Sequence, residues 1–96
     1  MDIQNIRDEI NEIDDRLVEL FVRRMQIAQD VATYKKEHNL PVTDRTRERE
    51  VIYRLTEKVD PAFSSYTRSL YQKLFELSKT YQSALLSGES SLVKQI

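Results

Sequence analysis

Residues 3–38 read IQNIRDEINEIDDRLVELFVRRMQIAQDVATYKKEH, and this stretch decides the fold of the chain. It contains no Gly and no Pro, and its apolar residues recur at alternating steps of three and four. Such spacing is typical of a helix with one continuous apolar seam, as in a coiled coil. The seam residues are Ile3, Ile6, Ile10, Ile13, Leu17, Leu20, Ile27, Val31 and Tyr34. The stretch therefore predicts one very long helix, from about residue 3 to residue 38.

A helix of that length is too long for one compact domain of 96 residues. About 35 residues of α-helix measure ~52 Å, whereas a compact domain of this size is only about 30 Å across. The helix must overhang its own core, and its projecting apolar half needs a partner. A second copy of the chain is the commonest solution. We expect an intertwined homodimer with three helices from each protomer and six in all.

A short second helix follows the first. Asn39-Leu40-Pro41 interrupts the apolar pattern, and Pro cannot continue a helix interior. Thr43 or Asp44 can cap a new helix, because either side chain accepts a hydrogen bond from the first turn. The pattern predicts that this helix runs through about Lys58.

A third helix of medium length completes an all-α fold. Asp60 followed by Pro61 is the favoured order of a cap and a first helical residue, and Gly88 is a natural C-terminal stop. One apolar stripe supports the helix, formed by Phe63, Tyr66, Leu70, Leu74, Leu77, Tyr81 and Leu85. We expect residues 1–88 to form a single domain and residues 89–96 to form a flexible tail.

Composition narrows the classes of function. The net charge of −1 is unlike the basic excess of a nucleic-acid-binding protein. The absence of Cys excludes disulfides and thiol catalysis, and the single His38 cannot build a metal site without carboxylates. No apolar run approaches the ~20 residues of a membrane span, and residues 1–10 lack the features of a secretory signal. These features indicate a cytoplasmic protein.

Charged residues interrupt the seam of the first helix. Between Leu20 and Ile27 the alternation of three and four falls on Arg24, a residue type almost never buried without a partner. Arg24 either extends to water, pairs with a carboxylate of the partner chain, or contributes to a site. Lys35 lies ~16 Å further along nearly the same face. Arg7 lies ~25 Å before Arg24, too far to share a ligand with it within one chain. Arg7 is either an exposed helical Arg or approaches Arg24 and Lys35 of the partner chain across an antiparallel two-fold axis.

The second helix begins with polar residues on the side that continues as core. Asp44, Arg47 and Glu48 share a face with Val51 and Leu55, because they are spaced by three or four residues. Capping and one ion pair explain part of this cluster. They do not explain why the charges fall on the inward side.

The third helix carries Ser78 and Gln82 four residues apart among apolar neighbours. A buried Gln without a partner costs about 1–3 kcal/mol, so the two residues form either a polar contact between helices or part of a site. Three helices thus contribute polar groups to one interior region. Three cations against two acids in that region suit a small ligand with two negative charges.

The ordered set of these residues resembles the all-α (type II) chorismate mutases. The resemblance covers roughly residues 3–86 and is carried by Ile6-Arg7-Asp8-Glu9-Ile10, Asp14-Asp15-Arg16-Leu17, Arg23-Arg24, Lys35, Pro41-Val42, Asp44, Arg47-Glu48-Arg49, Ser78 and Gln82. It implies a dimer with two active sites that convert chorismate to prephenate in phenylalanine and tyrosine biosynthesis. Family members occur alone or fused to neighbouring enzymes. The reaction is a unimolecular rearrangement and implies no metal and no cofactor.

The resemblance also implies roles for individual residues. Lys35 and Gln82 donate hydrogen bonds to the ether oxygen, and Glu48 accepts one from the ring hydroxyl. Arg24 and the partner's Arg7 hold the carboxylates. Ser78 assists them, while the wall around the hydroxyl is shaped by Asp44 and Arg47. Two alternatives stay open: an isochorismate pyruvate-lyase on the same scaffold, and a helical dimerisation module without catalysis.

Overall fold

Three α-helices account for most of the chain in the computed structural model, which describes residues 2–88. They are α1 (Ile3–Glu37), α2 (Arg45–Thr56) and α3 (Ser64–Ser87), and a 3-10 turn (Pro61–Phe63) precedes α3. No strand occurs within residues 2–88. The predicted all-α class and the order of one very long, one short and one medium helix are confirmed. The tail predicted at residues 89–96 lies outside the described residues.

The helix α1 has a local signal at each end. At its start the Asp2 carboxylate accepts a hydrogen bond from the backbone N–H of Gln4 at 3.2 Å. It ends one residue before the predicted position, with His38 as its C-terminal cap. The next residue, Asn39, has a φ of 54°. Asn tolerates this left-handed conformation better than most residues do, so the chain can turn away before Pro41.

Side-chain caps also begin the two later segments. Asp44, one of the two predicted caps, accepts a hydrogen bond from the backbone N–H of Arg47 at 3.0 Å. Asp60 accepts one from the N–H of Ala62 at 2.8 Å. The carbonyl of Asp60 also accepts the N–H of Phe63, three residues on, at 2.8 Å. That i→i+3 bond makes the first turn after Pro61 a tighter 3-10 turn, so α3 itself begins later than predicted.

The other helix ends are close to their predicted positions. The helix α2 stops at Thr56, two residues before the predicted Lys58. Gly88 caps α3 with a φ of 79°, a left-handed conformation that costs Gly little because it has no Cβ.

Both α1 and α2 pack against α3, which is therefore the central element of the protomer. The buried residues of α1 are Ala28 and Ala32. Val51 of α2 and Phe75 of α3 are the other buried apolar residues within residues 2–88. This small core holds only the C-terminal half of α1.

Most of the apolar seam of α1 is left uncovered by its own chain. Eight of its nine residues are 38–59 % exposed, and the ninth, Ile6, is half-buried. The apolar stripe of α3 is also exposed at its start, at Phe63, Tyr66 and Leu70. The Cα radius of gyration is 16.7 Å, against about 12–13 Å for a compact domain of this length. The expected overhang of α1 is confirmed, and its coverage by a second copy stays a prediction.

Within residues 2–88 no helix combines the length and the apolar character needed to cross a lipid bilayer.

Candidate active site

A pocket of about 440 Å³ lies where the three helices meet. This volume falls in the range of roughly 300–1,000 Å³ that small-molecule sites occupy. Seven of the eight predicted site residues line it, namely Arg24 and Lys35 from α1, Asp44, Arg47 and Glu48 at the start of α2, and Ser78 and Gln82 from α3. The structure therefore brings together residues separated by up to 58 positions in the sequence.

Arg7 is the predicted site residue that the single chain does not bring to the pocket. It lies on the exposed N-terminal half of α1, about 25 Å along the helix from Arg24. Its contribution from a second copy stays a prediction.

Arg24 lies half-buried against aromatic rings. Its guanidinium carbon is 5.9 Å from the centre of the Phe75 ring and 6.0 Å from that of Tyr71. The two rings contact each other edge to face, with 6.1 Å between their centres. A guanidinium over ring faces gains cation–π stabilisation without using its hydrogen-bond donors. Arg24 makes no ion pair within residues 2–88, so its donors stay available to an anionic ligand.

Lys35 connects α1 to the segment before α2. Its Nζ atom donates a hydrogen bond to the backbone carbonyl of Val42 at 2.6 Å, in partly buried surroundings. An ammonium group has three N–H donors, so this bond fixes the position of Nζ and leaves donors for the pocket. The charge of Lys35 is therefore held in place at the pocket wall.

The start of α2 contributes three charged side chains with different environments. Asp44 caps the helix, as described above. Arg47 extends toward water, where its guanidinium lies 3.7 Å from the carboxylate of Glu50; such an exposed pair contributes little to stability. Glu48 is half-buried and forms an ion pair of 2.9 Å with Lys79 of α3. Of the three, Glu48 is the most firmly held.

Ser78 and Gln82 provide the buried polar surface of the pocket. Their relative exposures are 9 % and 4 %, and the Nε2 atom of Gln82 donates to the Ser78 hydroxyl at 3.0 Å. The Oε1 atom of Gln82 has no hydrogen-bond partner within residues 2–88. Most buried polar atoms in proteins are hydrogen-bonded. A buried amide with spare hydrogen-bonding capacity is therefore a feature that a binding site explains better than a core contact does.

The sequence patterns do not single out Lys79, Phe75 and Tyr71 as site residues. Lys79 lies three residues before Gln82, and Phe75 and Tyr71 lie three and seven residues before Ser78. Helical spacing alone therefore places all three near the predicted site. A Lys in a charged helix and aromatic residues among apolar ones are nevertheless common in any helical protein. Their relation to the site becomes visible only in the structure, where Lys79 pairs with Glu48 and the two aromatic rings lie against Arg24.

The charges around the pocket favour an anion. Its lining includes the cations Arg24, Lys35, Arg47 and Lys79 and the acids Asp44 and Glu48, which leaves a net of two positive charges. Apolar side chains complete the wall, namely Ile27, Ala28, Val31, Val42, Val51 and Phe75. No group of three or more His, Asp or Glu side chains in the described part of the chain is arranged to hold a metal ion.

Fold and pocket together define an all-helical protein with a pocket of small-molecule size and net positive charge. The comparison with known families makes this class specific. The model of the type II chorismate mutase family matches residues 6–83, and the chain belongs to this family.

Two named relatives are similar over most of the chain. A bifunctional chorismate mutase/prephenate dehydratase of Buchnera aphidicola subsp. Schizaphis graminum is 32% identical over 88 residues, which are 90% of this chain. The chain spans only 23% of that protein's length. A chorismate mutase of Methanocaldococcus jannaschii is 29% identical over 86 residues, which are 88% of this chain and 87% of that protein.

A solved structure shares the fold. It is a conserved hypothetical protein from Pyrococcus furiosus, with 39% sequence identity and a TM-score of 0.70. The match covers 83% of this chain and 93% of that chain. The long first helix and its two shorter companions are therefore a shared architecture.

Proposed function

We propose that this chain catalyses the rearrangement of chorismate to prephenate in the pocket between its three helices. In this reaction the ether C–O bond breaks while a C–C bond forms between the enolpyruvyl methylene carbon and the ring. All atoms of the substrate are retained in the product. The observation that carries the proposal is the convergence of Arg24, Lys35, Glu48, Ser78 and Gln82 on one pocket with two net positive charges.

The first task of such a pocket is to hold a flexible dianion in a compact, chair-like conformation. Orientation of reacting groups by a protein is worth up to about 7–11 kcal/mol of an activation barrier. Arg24 is suited to fix one carboxylate because the rings of Phe75 and Tyr71 orient its guanidinium. The carboxylate of Glu48 is suited to accept a hydrogen bond from the ring hydroxyl.

The second task is to stabilise negative charge that develops on the ether oxygen as the C–O bond breaks. We assign this role to the Nζ atom of Lys35 and the amide nitrogen of Gln82. One well-placed donor of this kind changes a rate by about 10²–10³. Both side chains are held before the reaction, Lys35 by the Val42 carbonyl and Gln82 by the Ser78 hydroxyl. Little reorganisation is then needed when the charge appears.

We further propose that two copies form an intertwined dimer and that Arg7 of one copy completes the pocket of the other. The exposed seam of α1 supports this arrangement, because contiguous apolar surface of this extent usually marks an interface. The second guanidinium would hold the remaining carboxylate. Each dimer would then carry two equivalent sites.

The test is the loss of chorismate absorbance with the purified wild-type chain and no added metal or cofactor. It is run alongside Arg24→Ala and Arg23→Ala, because Arg23 is the exposed neighbour that does not line the pocket. We expect prephenate as the product. For Arg24→Ala we expect kcat/KM to fall about 100-fold or more, because a carboxylate of the bound substrate loses its cationic partner. Arg23→Ala should stay near the wild-type value.

Product analysis also separates the alternatives. Pyruvate release from isochorismate with no turnover of chorismate would indicate a lyase instead. A folded wild-type chain that neither converts nor binds either compound would indicate a non-catalytic module. Neither relative named above carries an isochorismate pyruvate-lyase activity in its name, and a simple dimerisation module leaves the convergent charges without a role.

A further inference from the structure

The ion pair between Lys79 and Glu48 differs from the other ion pairs within residues 2–88. Its nitrogen and oxygen atoms are 2.9 Å apart, and its side chains are only 29 % and 23 % exposed. The pairs Lys73–Glu76 and Arg47–Glu50 have longer distances and side chains that are at least 60 % exposed. Lys79–Glu48 also joins two helices, whereas each of the others connects residues three apart on one helix.

The position of Lys79 links this pair to the site. Lys79 and Glu48 both line the 440 Å³ pocket, and both also line a larger groove on the outer side of α2 and α3. The pair therefore forms part of the wall between the site and the outer surface. The Oε2 atom of Glu48 faces Lys79, while its Oε1 atom makes no hydrogen bond within residues 2–88.

We propose that Lys79 is a positioning residue that holds the carboxylate of Glu48 for the ring hydroxyl of the substrate. The inference rests on the proposed function, in which Glu48 accepts that hydroxyl. With Oε2 bound to Lys79, the carboxylate has one preferred orientation and presents Oε1 to the pocket. The fixed acceptor favours a substrate that carries a hydroxyl at this point of the ring.

Lys79 acts through Glu48 in this proposal, so the two residues should be coupled. Without Lys79 the Glu48 carboxylate would lose the contact that orients it. A displacement of about 1 Å in a positioning group can reduce a rate by as much as 10²-fold. The loss should appear mainly in kcat, because Arg24, Lys35 and the partner's Arg7 would still attract the dianion.

A double-mutant cycle tests this coupling. Rates with chorismate are measured for the wild type, Lys79→Met, Glu48→Gln and the double variant, after each is checked for helicity and association state. Lys79→Met should lower kcat by about 10- to 100-fold with a much smaller change in KM. In the Glu48→Gln background, Lys79→Met should change kcat less than twofold. The carboxylate that Lys79 orients is then already absent.

Two further variants separate positioning from loss of structure. Lys79→Arg retains the cation and should recover most of kcat. Lys73→Met removes a cation from an exposed ion pair on the same helix and should leave both kinetic parameters unchanged.

The possible outcomes are distinct. The role of Lys79 would be overturned by additive effects of the two substitutions or by an unchanged kcat. A rise in KM alone would also overturn it, because it would indicate a direct contact between Lys79 and the substrate. A folded wild-type chain without activity on chorismate would overturn the proposed function and this inference together. An active wild type in which the effects of Lys79→Met and Glu48→Gln on kcat are additive would overturn the role of Lys79 and leave the proposed function intact.

Discussion

Gln82 determines the expected pH dependence at the scale of single residues. An amide donates its N–H at any pH, so the wild-type turnover should be nearly constant from mildly acidic to neutral pH. In Gln82→Glu only the protonated carboxyl can donate, and burial favours that neutral form. Because protonation is lost as pH rises, the variant should be active at acidic pH and lose activity toward neutral pH.

Initial rates across this pH range, with wild type and variant in the same buffers, check the prediction. Circular dichroism at each pH excludes unfolding as the cause. A steep decline of the wild type between the two limits would argue against Gln82 as the donor to the ether oxygen. Equal pH profiles for the wild type and Gln82→Glu would also argue against Gln82 as that donor.

The site residues differ in how far sequence predicts them. Arg24 and Gln82 interrupt apolar patterns, so their unusual position is visible in the sequence. Both residues line the pocket, and their roles in the site stay predictions. Lys79 interrupts nothing, and its role depends on a contact between α2 and α3 that no local pattern contains. Arg7 was assigned to the site through the family resemblance, and its role stays a prediction.

Two Asp caps allow stability and catalysis to be separated at the scale of helices. Both carboxylates accept a backbone N–H at the start of a helical segment, and replacing such a cap by Ala typically costs about 1 kcal/mol. Asp44 lines the pocket, whereas Asp60 does not. We expect Asp44→Ala and Asp60→Ala to lower the free energy of unfolding similarly, while Asp44→Ala alone reduces kcat/KM.

Urea unfolding and steady-state kinetics on the same preparations check this prediction. Asp44→Asn is the matched variant, since Asn caps a helix about as well as Asp but carries no charge. It should regain stability without regaining full activity. A fully active Asp44→Ala would show that Asp44 serves the helix only.

Helix positions were predicted within a few residues because their signals are local. Asp44, Asp60 and Gly88 act on the backbone of their own turn, so a short segment contains the information. The 3-10 turn after Pro61 was missed, because Pro fits the first turn of an α-helix and of a 3-10 helix equally well. Its identity depends on the hydrogen bond from Phe63 to the Asp60 carbonyl.

At the scale of the whole molecule, the proposed sharing of sites between two chains gives a complementation test. Arg7→Ala and Arg24→Ala should each be nearly inactive alone. In a heterodimer of the two, one pocket has both arginines and the other has neither. Unfolding and refolding an equimolar mixture should therefore restore about one quarter of the wild-type activity, because about half of the dimers are mixed.

The same variants refolded separately and then combined briefly serve as the control. Activity that stays at the sum of the two separate variants would place Arg7 outside the shared pocket. Recovery without exchange of chains, detected by a tag on one variant, would also contradict the arrangement.

The whole-molecule arrangement was only partly predictable from sequence. The overhang of α1 follows from its length, and the radius of gyration agrees with it. The packing angle and register against a second copy depend on how two seams fit together, and a period of three and four residues allows several registers. Helix spacing therefore shows only that Arg7 cannot share a ligand with Arg24 within one chain, and its role in the partner's pocket rests on the resemblance.

In the proposed dimer, burial of the exposed seam of α1 would make the enzyme depend on its own abundance. A protomer with so small a core would gain much of its stability on association, and folding and assembly would then be one equilibrium. Diluted solutions should lose specific activity and melt at lower temperature, and refolding should follow second-order kinetics. A cell that makes less of this protein would therefore lose catalytic capacity faster than it loses protein.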